Sequence, residues 1–298
     1  MKKLLLLIPI ILILTGCNSY VELNDLGVIS EIGIEKDDKY KMYANVIKSI
    51  DDDFNIEEKT IVVEGDNILD LINNLSYSLN KKIYLSHLNL LVVDDSIKTF
   101  EVKELVDFFL NNNETRSDTL IVSTNNIKTI LENSKFKEIN ELININNKIS
   151  SNSVYTTMFD VINNYYLNKP IYISNIEYIE NNIKLNGLKK IYNNKIEFIS
   201  NQDTIYINYL LNNIDTFKTN IECDDNKYLY IEIQDSNTNT INNQILITNE
   251  LKIIRNDCNL DNKKITTLFN NNLKNNLKKF TNKEIIIRNT IRSYYENN

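Results

Sequence analysis

The chain of 298 residues has no tryptophan, one histidine, five glycines and three cysteines, and these shortages narrow its chemistry before any motif is considered. With His87 alone, every scheme that needs a second histidine is excluded, and a Ser-His-Asp or Cys-His arrangement would have to run through that residue. The glycines stand at 16, 27, 33, 65 and 187, and no phosphate-cradling loop or dinucleotide fingerprint can be assembled from them. Neither Cys223 nor Cys258 sits in a Cys-x-x-Cys pair or near the histidine, which removes the usual zinc arrangements. No catalytic residue, cofactor or metal site is therefore expected. We read Cys223 and Cys258 as buried free thiols acting as small hydrophobes, with a disulfide left open by the prospect of export.

What the chain does contain describes a folded protein. Hydrophobic residues make up 42% and charged residues 24%, a globular balance, and the length allows two modest domains. The formal net charge of -7 argues against nucleic acid as a partner and against electrostatic attraction to an anionic membrane. The many asparagines and isoleucines are read as a habit of the genome and not as function.

The N-terminus carries the first informative pattern. Lys2 and Lys3 precede an apolar run over 4–14, which ends in Leu14-Thr15-Gly16-Cys17. A charged start, a short apolar core and a small-residue cleavage site are the parts of a secretory signal, and the run is too short to span a bilayer, which takes roughly 20 residues. Leu-Thr-Gly-Cys resembles the lipobox of bacterial lipoproteins. That resemblance implies removal of residues 1–16 as a signal peptide and lipidation of Cys17, followed by a tether over 17–25. Acyl chains on one residue anchor firmly, since each buried methylene contributes about 0.8 kcal/mol. Loss of Lys2 and Lys3 would lower the net charge by two, to -9.

Beyond the tether, period-two patterning begins. Leu26, Val28, Ile32 and Ile34 face one way, with Gly27, Glu31, Gly33 and Glu35 mostly opposite; after a polar turn, Tyr40, Met42, Ala44 and Val46 resume the pattern. This predicts a β-hairpin with one buried face. Asp51-Asp52-Asp53 lacks the alternate spacing, the glycine and the closing carboxylate of a calcium loop, so a solvated loop is expected. A strand over 60–64 precedes a helix capped by Asp66 and carrying Ile68, Leu71, Ile72, Leu75 and Leu79. A strand over 83–93 follows, its second half apolar enough for a central position, with His87 packed in mid-strand. His87→Ala is expected to act on folding or assembly and not on turnover. Next come a helix over 100–110, a strand over 120–123, and short helices over 127–131 and 139–145. A longer helix over 154–167 points Tyr155, Met158, Phe159, Ile162 and Tyr166 inward, and Pro170 stops it.

From residue 171 short β segments dominate, over 171–179, 183–192, 195–199, 204–210, 217–223, 228–233 and 245–255. A helix over 263–280 comes after them, and the tail spaces Ile287, Ile291, Tyr294 and Tyr295 as a last helix would. The fold class is α+β: an N-terminal mixed sheet with packed helices, then a strand-rich C-terminal region with a long helix. The expected seam lies near 181–186, giving domains over 26–183 and 184–298. Carboxylate pairs such as Glu57-Glu58 and Asp224-Asp225 are read as solvated faces.

Taken with the lipobox, the Glu-Leu-Asn-Asp-Leu stretch over 22–26 and the Ile-Gly-Ile-Glu over 32–35 resemble the opening of the GerC-type subunit of spore germinant receptors. Further resemblances are Ser86-His87-Leu88 before an apolar strand, Glu114-Thr115-Arg116 between a helix and a strand, and Asn186-Gly187-Leu188 before a hairpin. Asn18-Ser19-Tyr20 departs from the Trp-Asp usual after the cysteine. The Phe-Gly segment and last strand that follow the long helix in relatives are not recognised, so a shortened C-terminal region is expected. The resemblance implies a non-enzymatic lipoprotein on the outer face of the spore inner membrane, working beside membrane-embedded A and B subunits. The competing readings are a solute-binding lipoprotein of a transporter, which would show two similar lobes of repeated strand-helix units, and a lipid-anchored hydrolase, which the single histidine weakens.

Overall fold

Strand β1 (Leu26–Lys36) is the centre around which the first sheet forms, because its neighbours cover both of its edges. A computed structural model describes residues 23–50, 56–95, 97 and 99–292. β1 pairs antiparallel with β2 (Tyr40–Ile50) on one side; on the other it pairs parallel with β4 (Lys82–Tyr84) along its first residues and with β5 (Leu90–Asp94) farther on. Strand β3 (Ile56–Gly65) extends the sheet beyond β2, and β6 (Leu120–Thr124), β7 (Ile171–Ile179), β8 (Asn182–Tyr192) and β9 (Lys195–Ile199) extend it beyond β5. The result is a nine-stranded mixed sheet in which β1, β5, β6 and β7 run parallel.

Helices cover both faces. On one side α1 (Ile68–Leu79), α2 (Thr99–Asn111) and α5 (Met158–Tyr166) bury Leu71, Leu75, Val102, Val106, Met158 and Val161 against Ile29, Ile32, Leu91 and Val93. On the other side α3 (Ile127–Asn133) and α4 (Phe136–Ser150) pack Ile127, Ile130, Ile139 and Ile143 on Tyr43, Leu90, Val92 and Val122. The continuous run Leu90 to Val93 is buried on both faces, as its composition predicts for a central strand. The hairpin of β1 and β2 departs from expectation. A register shift between Ile29 and Glu31 puts Ile29 on the same core side as Ile32 and Ile34, and α3 closes the second face. Gly33 permits that closure: a Cβ there would overlap Ile127 and come within 2.8 Å of Leu131 Cδ1.

The switch from the first sheet to the second comes after Ile199, through α6 (Asn201–Leu210). The seam expected near 181–186 coincides with the start of β8, which pairs with β7 inside the first sheet. The second sheet has the order β10 (Phe217–Asp224), β11 (Lys227–Ile241), β12 (Gln244–Asn256) and β13 (Glu284–Arg292). Helix α7 (Asn262–Leu277) lays Ile265, Phe269, Leu273 and Leu277 on Ile231, Ile247 and Ile285. A chain of hydrogen bonds, Ser236 to Asn249 to Asn289 to Asn270, crosses three strands and reaches α7.

Several local expectations are corrected. Residues 204–210 are helical, because Ser200 accepts the Asp203 amide at 3.2 Å and starts α6 there. The tail up to Arg292 is a strand, pairing parallel with β12 from Gln244↔Glu284 to Lys252↔Arg292, so the chain does have a strand after its long helix. The Ile285-Ile286-Ile287 run suits a pleated strand better than a helix; Tyr294 and Tyr295 lie outside the described residues. Asn67, not Asp66, caps α1 by accepting from the Asp70 amide. Helix α5 starts only at Met158, and Phe159 and Tyr166 face outward at 60% and 63% exposure. Cys223 and Cys258 form a disulfide joining β10 to the loop after β12, and both are half-buried, so they are not free core thiols.

Candidate functional site

Two features of the first sheet are candidates for function: a buried carboxylate under α4 and an open groove between α1 and α2. The carboxylate is Glu31, just past the register shift on β1 and 2% exposed. Its Oε1 accepts the amide of Phe136 at 2.6 Å, the first residue of α4, where the helix dipole favours negative charge. Its Oε2 accepts from Asn45 Nδ2 at 2.9 Å, and Glu31 and Asn45 are direct cross-strand partners. Asn45 also donates to the Leu131 carbonyl at the end of α3 and accepts from the Thr60 hydroxyl on β3 at 2.7 Å. Ser30 donates to Glu58 on β3. One polar network thus ties β1, β2 and β3 to the junction of α3 and α4.

Burial pushes the Glu31 carboxyl up to about 7, against the Phe136 and Asn45 hydrogen bonds that pull it back; the neighbouring Glu58 charge adds to the rise and Lys135 opposes it. A carboxyl placed this way can take up a proton near neutral pH. Sealed among three strands and two helices, it cannot reach a substrate, so its chemistry is a matter of fit and charge at a structural junction.

The groove has a volume of 840 Å³ and an apolar floor that includes Ile68, Ile72 and Phe108. Amide and carboxylate groups, among them Asn73, Asn111 and Glu104, form its walls. The ion pair of Lys82 with Glu114, at 2.7 Å, stands at one end. No serine, cysteine or threonine in the lining is paired with a basic side chain in a nucleophilic arrangement. Such a surface is suited to holding a partner or ligand.

Residues singled out in the sequence fall elsewhere. Cys17 and Asp51-Asp52-Asp53 lie outside the described residues. His87 is not in a strand: the span expected as one strand divides into β4 and β5, and His87 sits exposed in the turn between them, its ring 5.8 Å from that of Tyr84. Asp224 and Asp225 are exposed, whereas Glu58 is half-buried through its bond to Ser30 and is no simple solvated acid. Among the described residues no group of three or more His, Cys, Asp or Glu side chains is placed to hold a metal ion, and no helix is long and apolar enough to cross a membrane. Sequence reasoning missed Glu31 and Asn45. Asn45 stands between Ala44 and Val46, and Glu31 between Ser30 and Ile32; opposing these two polar residues across the hairpin would have revealed the pair.

Known proteins with similar sequences place the chain. Residues 1–18 match the prokaryotic membrane lipoprotein lipid attachment site. Residues 19–178 match the model of the spore germination protein N-terminal domain. Spore germination protein KC of Bacillus subtilis (strain 168) is 24% identical over 159 residues, covering 50% of this chain and 38% of that protein, so the match spans well under two thirds of the relative's length. Among solved structures, the crystal structure of the GerBC protein is similar with a TM-score of 0.47 and 16% identity, covering 83% of this chain and 79% of the other. With a family model matching over half of its length, the chain belongs to the spore germination protein family that its opening motifs resemble.

Proposed function

We propose that the protein is the lipid-anchored C subunit of a spore nutrient germinant receptor, acting without catalysis beside two membrane-embedded subunits, A and B. The observation that carries this reading is the order of the family matches: the lipid attachment site ends at residue 18 and the germination domain begins at residue 19. Acylated Cys17 would then stand directly ahead of the folded body. Anchoring there, on the outer face of the spore inner membrane, confines that body to the membrane surface and raises its effective concentration beside membrane partners. The groove between α1 and α2, apolar below and amide-lined above, supports a docking role.

Deletion of the gene, in a strain with no second copy, followed by germination assays over a nutrient panel tests the reading. The expected result is loss of response to at least one nutrient, restored by the wild-type gene and not by Cys17→Ala. Spores that respond normally to every nutrient after deletion would overturn it.

A further inference from the structure

The parallel strands β1, β5, β6 and β7 all begin at the same end of the large sheet. The described chain enters at that end through the short 3-10 turn Leu23–Asp25. Helices α1 and α2, which return from the opposite end to feed β4 and β6, finish there. Helix α5 starts there, with the Phe159 amide donating to the Ser117 carbonyl at 2.8 Å just ahead of β6. Each helix leaves one large apolar side chain in solvent at this end. Tyr77 in the last turn of α1 is 82% exposed, Leu110 in the last turn of α2 is 48% exposed, and Phe159 in the first turn of α5 is 60% exposed. The nearby charges largely cancel: Lys82 pairs with Glu114 at 2.7 Å and Arg116 with Asp118 at 2.6 Å.

Resting on the reading of Cys17 as the lipid anchor, we infer that this end of the sheet lies against the bilayer, with Tyr77, Leu110 and Phe159 immersed among the lipid headgroups. Five residues lie between Cys17 and Leu23, six steps that span at most about 20 Å of extended chain, so the entry end cannot stand far from the acyl chains. The far end of β1, with eleven residues at roughly 3.3 Å each, is held more than a tether length away. Tyrosine, with an apolar body and a polar tip, favours the membrane interface, and phenylalanine and leucine bury their apolar side chains at the boundary of headgroups and acyl chains. The net-acidic chain has no general attraction to anionic lipid. Its paired charges at this end make the contact an apolar one, equally available on zwitterionic lipid.

The absence of tryptophan supplies the test, since a single introduced tryptophan is the sole indole reporter. Acylated full-length chains carrying Tyr77→Trp, Phe159→Trp or Ile179→Trp are placed in phosphatidylcholine vesicles with brominated acyl chains, and quenching of emission is read. Ile179 ends β7 at the opposite end of the sheet and is 41% exposed. Tyr77→Trp and Phe159→Trp are expected to lose much of their emission while Ile179→Trp keeps it. With acylation of Cys17 verified by mass spectrometry, unquenched emission at both positions, or equal quenching at all three, overturns the orientation and leaves the anchor standing. Shielding that arises in native spore membranes but not in pure lipid would assign the surface to a protein partner and overturn the lipid assignment. An unmodified Cys17 in the mature chain overturns the anchor and the orientation together.

Discussion

Replacing Glu31 by glutamine should change stability with a sign that reverses across the pH range. Burial, the main cause, raises the Glu31 carboxyl from 4.5 to about 7 in the folded chain. Between those values the native state holds a proton that the unfolded state releases, so stability falls as pH rises. The cost is nearly absent at about pH 4 and complete above about pH 7, where 1.36 kcal/mol per unit makes it about 3 kcal/mol. Glutamine carries no charge and keeps an acceptor for the Phe136 amide, but its own amide group meets the Asn45 Nδ2 donor, losing one hydrogen bond at about 1 kcal/mol. Glu31→Gln should therefore be about 1 kcal/mol less stable than the wild type at about pH 4, and about 2 kcal/mol more stable at about pH 8. Urea unfolding followed by circular dichroism at a series of pH values measures the difference directly. A difference that stays flat from acid to alkaline pH would refute the reasoning, because the carboxyl would then not be titrating where its burial puts it.

Gly33→Val should cost about 2 kcal/mol and lower the unfolding midpoint, since its side chain must enter space held by Ile127 and Leu131; an unchanged midpoint would show that α3 yields easily. Cys223→Ser should remove about 3–4 kcal/mol under oxidising conditions, the chain-entropy worth of a bridge spanning 35 residues, and reductant should abolish the difference between variant and wild type. His87→Ala, at an exposed turn, should change stability by less than about 0.5 kcal/mol, and a larger loss in thermal unfolding would contradict its placement outside the core.

The long periodic elements were legible because one strong pattern decides each of them. Leu71 and Leu75 mark α1, Val102 and Val106 mark α2, and the Leu90 to Val93 run marks a central strand. Short apolar runs were not, because both periods fit them. Residues 204–210 follow a serine cap and an acid that make α6 helical, and Ile287 and Ile291 match a helix by spacing yet pair along β12. That pairing depends on α7 carrying the chain back to the start of β12, a relation invisible in the tail itself. The disulfide has the same character. Cys223 and Cys258 lie 35 residues apart, and only the pairing of β10, β11 and β12 brings their Cα atoms to 6.4 Å. Of the candidate site, the helices that form the groove were visible, while the closeness of Glu31 to the start of α4 depends on a contact 105 residues away along the chain.

The stretch by which the chain resembles its family is also the stretch on which its first sheet depends. β1 is bordered by β2, β4 and β5, so an error in its register would propagate to three strands at once. Ile32 and Ile34 set one face of the core. Gly33 lets α3 settle on the other face, and Glu31 fastens the beginning of α4 to that strand. Each of these residues has a structural role on the first strand of the described chain. None faces the groove between α1 and α2. The surfaces of α1 and α2 and the second sheet carry none of these residues, so on the receptor reading proposed above they are where a specific response would be set. Exchanging the groove residues Asn73 and Asn111 for alanine should therefore leave folding and membrane attachment intact while altering the nutrient response, whereas Gly33→Val should reduce the amount of folded protein and every response with it. Germination assays paired with immunoblots of spore membranes separate the two, and a groove variant that lowers protein level as much as the Gly33 variant would remove the distinction between scaffold and docking surface.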